Sequence, residues 1–271
     1  MTTGSTLVFE VYERFPSRII PFYAPDPVRD DFKERLLHWR RKGIKGCGEL
    51  KVSLNWESDE ITRLLNCLRQ LEMPLVFHME EARECFEPGV NATRREHLLA
   101  KLFESTKLHG QPKETMALIS RFFPPLKARR DKMFCMFPGY LMDFASLERR
   151  LIEYPDVTFI GHGPLFWKGI KLHWERSQAT YPRTKVKEPG ITCRLLAEYR
   201  NLYADISGPS GFNALNRDKK FTKRFLSEHE DKILYGTDNY ELGLQNLLNS
   251  LGLARRTYSK IYGENALKIV P

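Results

Sequence analysis

Six short runs rich in β-branched and aromatic residues are spread along the chain and alternate with stretches of helical periodicity. They are RIIPFYA (18–24), IKGCGEL (44–50), PLVFHM (74–79), VTFIGH (157–162), LYADIS (202–207) and KILYGTD (232–238). Runs of this kind read as strands. In ESDEITRLLNCLRQLEMP the apolar residues Ile61, Leu64, Leu65, Leu68 and Leu71 fall on one helical face. Ser58 is placed to cap that helix, and Asp59 and Glu60 suit its positive end. DFASLERRLIEYPD (143–156) and CRLLAEYRN (193–201) repeat the pattern, and YSKIYGENALKIV closes the chain as a helix. Alternation of this kind predicts an α/β fold with parallel strands.

Five of the runs end in a residue that can bind metal or move a proton: Glu49, His78, His162, Asp205 and Asp238. In a parallel barrel the C-terminal strand ends gather on one face, where active sites are built. In a doubly wound sheet they line the crevice at the switch point. Each residue alone has an ordinary reading. A histidine at a strand end is commonly a hydrogen-bonded structural group, and an aspartate after Gly-Thr a turn residue or cap. Two imidazoles with two or three carboxylates, taken together, suit a divalent metal, with zinc first and manganese or iron as alternatives. Such an ion would bring bound water to a near-neutral pKa and polarise a carbonyl. His38, His97 and His229 sit in polar helical surroundings and read as surface residues, and His109 lies in a loop. His173, in KGIKLHWER, follows the GHGPLFW loop and is the outlying candidate for substrate contact. Lys51, Lys168 and Arg183 are suited to pair with the carboxylates of a small anionic substrate.

Composition limits the alternatives. No run approaches the roughly 20 apolar residues of a membrane span, and the N-terminus lacks the pattern of a signal peptide. The five cysteines are scattered without a CxxC pair, which argues against a zinc finger and suits reduced thiols in the cytosol. The net charge of +9 is concentrated in residues 92–132, where ten Lys/Arg face four Asp/Glu. A solvated helical face accounts for that segment better than nucleic-acid binding, because ALISRFF has the spacing of a packed amphipathic helix. The step between the runs at 74 and 157 is much the longest. Residues 83–142 are therefore read as a basic helical insertion within a single domain spanning 1–271, since about 60 residues make a small separate core.

PLVFHME, VTFIGHGP, NLYADISG, KILYGTDNY and IYGENALKI occur in that order. As a set they resemble the amidohydrolase-related family of TIM-barrel metal-dependent hydrolases. The branch is that of the aminocarboxymuconate-semialdehyde decarboxylase-like and 2-pyrone-4,6-dicarboxylate hydrolase-like enzymes. The resemblance implies a (β/α) barrel in which His78 is a metal ligand and Asp238 a ligand and general base. It places His162 beside the metal, binding or polarising substrate. Glu49 resembles the strand-end glutamate ligand of related metal-dependent nucleases. No family role carries over to Asp205; with Lys51 and His173 it is read from its position as a substrate-side residue.

The family's opening strand carries Asp-x-His-x-His, and this sequence has no His-x-His. Only the third to eighth of eight template strands are matched, which predicts an incomplete barrel. Three readings remain open: a start further upstream, a reduced ligand set of Glu49, His78 and Asp238, or a non-catalytic binding protein. GSTLVFEV (4–11) is expected to add an irregular strand, or a second copy of the chain to cover the open edge. The expected reaction is hydrolysis by a metal-activated water, with decarboxylation by the same residues as the alternative.

Overall fold

Pro21 decides where the first strand begins. It has no N–H to give a ladder, so β1 is only Phe22–Tyr23, shorter than the run that predicts it. The computed structural model describes residues 3–86, 93–94, 134–177, 179–238 and 241–270. After β1 come β2 (Gly46–Leu50), β3 (Leu75–His78), β4 (Arg83–Phe86), β5 (Phe134–Phe137), β6 (Phe159–His162), β7 (Leu202–Asp205) and β8 (Ile233–Leu234). The six expected runs form one parallel sheet in the order β1-β2-β3-β6-β7-β8. That order follows the sequence, as in a (β/α) barrel. Among the described residues β8 does not pair with β1, so the sheet is an open arc, a partial barrel.

β4 and β5 pair antiparallel, Arg83 opposite Phe137 and Phe86 opposite Phe134. The ends of the 83–142 segment are thus strands, and the helices expected between them lie outside the described residues. GSTLVFEV is no strand either. Thr3–Arg14 is a helix, whose Phe9 ring packs edge-on against Trp39 at 5.3 Å. No described helix is long and apolar enough to cross a membrane.

Alternation along the strands sorts side chains to two faces. Leu75, Phe77, Phe159, Leu202, Ala204 and Ile233 enter the main core beneath the helices. Those helices include Asp59–Leu71, where Ser58 Oγ accepts from the Ile61 N–H at 3.3 Å. Its Ile61, Leu64, Leu65 and Leu68 are fully buried, each contributing about 1.5–3 kcal/mol relative to exposure. Trp56, just before this helix, is also fully buried. It meets Phe77 at 5.0 Å and Phe159 at 6.3 Å, and its Nε1–H donates to the Leu141 carbonyl at 2.9 Å. On the opposite face Ile160, Tyr203 and Leu234 form a small apolar layer with Val76, against which Ala266 and Ile269 pack. One step further along the strands, that face changes from apolar to ionisable.

The outer edge of β8 is covered by the chain itself. Asn265 Nδ2 donates to the Ile233 carbonyl at 2.8 Å, and the Tyr235 N–H donates to the Ile261 carbonyl at 2.9 Å. Ile261 lies in a π-helical turn, Lys260–Glu264.

Candidate metal centre

The register of the sheet brings the site together. His78 on β3 and His162 on β6 are directly opposite, as are Val76 and Ile160 two residues earlier. The imidazole centroids lie 5.3 Å apart. Period two puts Asp205 on the same face of β7 as Tyr203.

Glu49 reaches this face through an irregularity. Cys47 is opposite Leu75, but Leu50 is opposite Phe77, so β2 carries one extra residue. Cys47 and Leu50 would point to opposite faces of a regular strand; with the bulge both enter the core, and Gly48 and Glu49 are left to the other side. Gly48 has a φ of +139°, and a Cβ there would stand 2.6 Å from the Val76 carbonyl oxygen. Only glycine fits both the conformation and the space.

The distances define a compact cluster. His78 Nδ1 is 2.5 Å from Glu49 Oε1, and its Nε2 is 3.2 Å from Glu80 Oε2. His162 Nε2 is 3.5 Å from Glu49 Oε1 and 3.7 Å from Asp238 Oδ2, while its Nδ1 is 3.0 Å from Asp205 Oδ2. Lys51 Nζ is 2.9 Å from Glu49 Oε2. Both histidines are buried, and Asp238, in a left-handed turn at φ +39°, is largely exposed.

Burial alone would raise the Glu49 carboxyl. The hydrogen bond from His78, with the His162 and Lys51 charges, outweighs it and holds Glu49 at about 2. Burial would likewise lower His78, but its bonds to Glu49 and Glu80 win and raise it. Glu80 is lowered against its own burial by His78 and Arg83. In the metal-free protein the pair therefore stabilises the fold over a defined window. The Glu49 contribution is present above its unfolded value near 4.5 and fades as pH falls toward about 2. The His78 contribution is present below its unfolded value near 6.5 and fades as pH rises through its higher folded value. The Tm difference between wild type and Glu49→Gln is expected to be largest between those two unfolded values and to shrink on either side; a flat difference would count against the pair.

One ligand atom from each of Glu49, His78 and His162 falls within 4.8 Å of the others. Metal–nitrogen and metal–oxygen bonds of about 2.0–2.2 Å hold two ligand atoms at most about 4.4 Å apart, so these three stand close to the separation an ion requires. The donor set fits a cation for a further reason. In its neutral form, with the proton on Nδ1 toward Asp205, His162 turns a lone pair at Nε2 toward two carboxylate oxygens, and a positive charge between them resolves that convergence.

Several candidates are placed differently from the expectation. His162, expected beside the metal, stands within the three-residue group, while Asp238, expected as a ligand, lies at its margin. His173 is far from the cluster in character: its side chain is 53% exposed and faces Glu175 at 3.5 Å. Lys168 is buried on Glu81 at 2.5 Å and is committed there. Two residues escaped sequence reasoning. Glu80 reads as the start of a loop, yet its extended backbone bridges to Tyr140, so residues 78 and 80 share a face; period two was the available signal. Half-exposed Tyr181 has its phenol raised by partial burial and by the Glu80 and Asp238 charges. No sequence signal pointed to it.

No family model and no curated protein matches the sequence. Solved structures do match. A TIM-barrel protein from Bordetella bronchiseptica is 12% identical, with a TM-score of 0.53 over 98% of this chain and 71% of that one. A probable 2-pyrone-4,6-dicarboxylic acid hydrolase from Acinetobacter baumannii, with citric acid bound, is 12% identical, with a TM-score of 0.50 over 98% and 78%. A 5-carboxyvanillate decarboxylase from Novosphingobium aromaticivorans, complexed with manganese and 4-hydroxy-3-methoxy-5-nitrobenzoic acid, is 16% identical, with a TM-score of 0.51 over 99% and 68%. At these identities the likeness shows the fold. The chain has a partial α/β barrel, the fold it shares with these structural neighbours.

Proposed function

We propose that the chain is a metal-dependent hydrolase acting on a small carbonyl substrate that bears a carboxylate. The observation that carries this reading is the convergence of Glu49, His78 and His162 at equivalent strand ends. These three residues would hold the ion, zinc or manganese by the chemistry of the donors. When bound, it supplies an acidic water and an electrophile for the carbonyl. Asp238, 3.7 Å from His162 Nε2, takes the proton of the attacking water at Oδ2. The Lys51 ammonium, 2.9 Å from Glu49 Oε2, would pair with a substrate carboxylate. The buried, unpaired thiols of Cys47, Cys67 and Cys193 favour a cytosolic setting.

The test is direct. Purified protein is dialysed against zinc or manganese, its metal content is measured, and it is assayed against small lactones, amides and aromatic carboxylates. Stoichiometric uptake with ring-opened or cleaved products supports the reading. Release of carbon dioxide instead would make the site a decarboxylase. Absence of metal uptake would sink both.

A further inference from the structure

We propose that Asp205, clamped by Ser207, sets the tautomer of His162 so that Nε2 is its ligand atom; this rests on the metal-site reading above and makes Asp205 a positioning residue. Asp205 Oδ1 accepts the Ser207 N–H at 2.9 Å, and Oδ2 accepts the Ser207 hydroxyl at 2.6 Å. The same Oδ2 lies 3.0 Å from His162 Nδ1. Two lone pairs do not sit that close, so Nδ1 carries a proton, and in the neutral ring Nε2 is the bare nitrogen. Nε2 is the atom that faces Glu49 and Asp238. His162 and Ser207 are each only 4% exposed, while the Asp205 side chain is 21% exposed. Ser207 is no nucleophile here. Its hydroxyl is directed to Asp205, with His162 Nδ1 more distant at 3.5 Å.

The clamp makes an unusual prediction about the isosteric variant. In Asp205→Asn the amide must choose which end is oxygen. The Ser207 backbone N–H is a fixed donor at the Oδ1 position, whereas the hydroxyl at Oδ2 can rotate to accept. The amide NH2 therefore occupies the Oδ2 position and donates to His162 Nδ1, which forces the proton onto Nε2 and blocks the ligand atom. Asp205→Ala removes the constraint without imposing the opposite one.

The experiment reads both tautomer and affinity. Imidazole 15N shifts are recorded on metal-free protein at a pH where the ring is neutral, with His162 identified by its loss in His162→Asn. Wild type is expected to show Nδ1 protonated and Asp205→Asn the reverse pattern. Zinc or manganese affinity is expected to fall about 10–100-fold in Asp205→Asn, and by less in Asp205→Ala. A role in packing alone would rank the two variants the other way. The inference is overturned if wild-type His162 carries its proton on Nε2, if Asp205→Asn keeps the wild-type pattern, or if alanine costs more affinity than asparagine. Should wild type bind neither metal, the hydrolase reading falls, and the tautomer pattern alone then decides the role of Asp205.

Discussion

Replacing His78 with alanine is expected to strip the protein of its metal and its turnover. His78 is the hinge of the cluster, with Glu49 at one ring nitrogen and Glu80 at the other. Truncation removes a ligand and leaves two partly buried carboxylates facing an empty space. The bond that holds Glu49 down is lost, burial then dominates, and its carboxyl rises toward the neutral form, a poorer ligand. The loss of affinity should exceed the ~10–100-fold typical of residues that only orient a ligand. Metal content per chain and zinc affinity by calorimetry check this, with circular dichroism to show that the barrel is retained. A His78→Ala protein that keeps one tightly bound ion per chain would refute the proposed ligand set.

Trp56→Ala is expected to give the largest loss of stability of any single core truncation in the loops. The indole is fully buried, fills the space between Phe77 and Phe159, and satisfies the Leu141 carbonyl. Removing a large buried aromatic costs about 3–5 kcal/mol, a large share of the ~5–15 kcal/mol that holds a domain together. Phe77 and Phe159 belong to the strands that carry His78 and His162, so the void would open directly beneath the site. Urea unfolding should show a lower midpoint with little change in slope. A cost below about 1 kcal/mol would mean that the surrounding rings collapse into the space.

The parts of the fold that repeat a period were legible in the residues. All six parallel strands were readable because β-branched and aromatic runs stop at polar residues. The Asp59–Leu71 helix was readable because apolar spacing, cap and charge agree. What was not readable depends on single events. The Thr3–Arg14 helix is built from Thr, Val and Phe, whose local preference points to strand; packing of Phe9 on Trp39 overrides it. The bulge that turns Glu49 toward His78 leaves no periodic trace, since one extra residue only breaks a pattern. Trp56 sits in a loop, where no spacing announces burial. Of the site, the strand-end residues Glu49, His78, His162, Asp205 and Asp238 were visible as a set, but their division of labour was not. That depends on which oxygen meets which nitrogen.

A complete barrel has no boundary, because its last strand finds its first by geometry. This arc ends for a chemical reason. Where a seventh strand would lay down its ladder beside β8, the side-chain amide of Asn265 and the backbone carbonyl of Ile261 occupy the hydrogen-bonding groups instead. The limit of the sheet is thereby written into one residue and one wide helical turn. A second chain arriving at that side would meet a finished surface instead of a template.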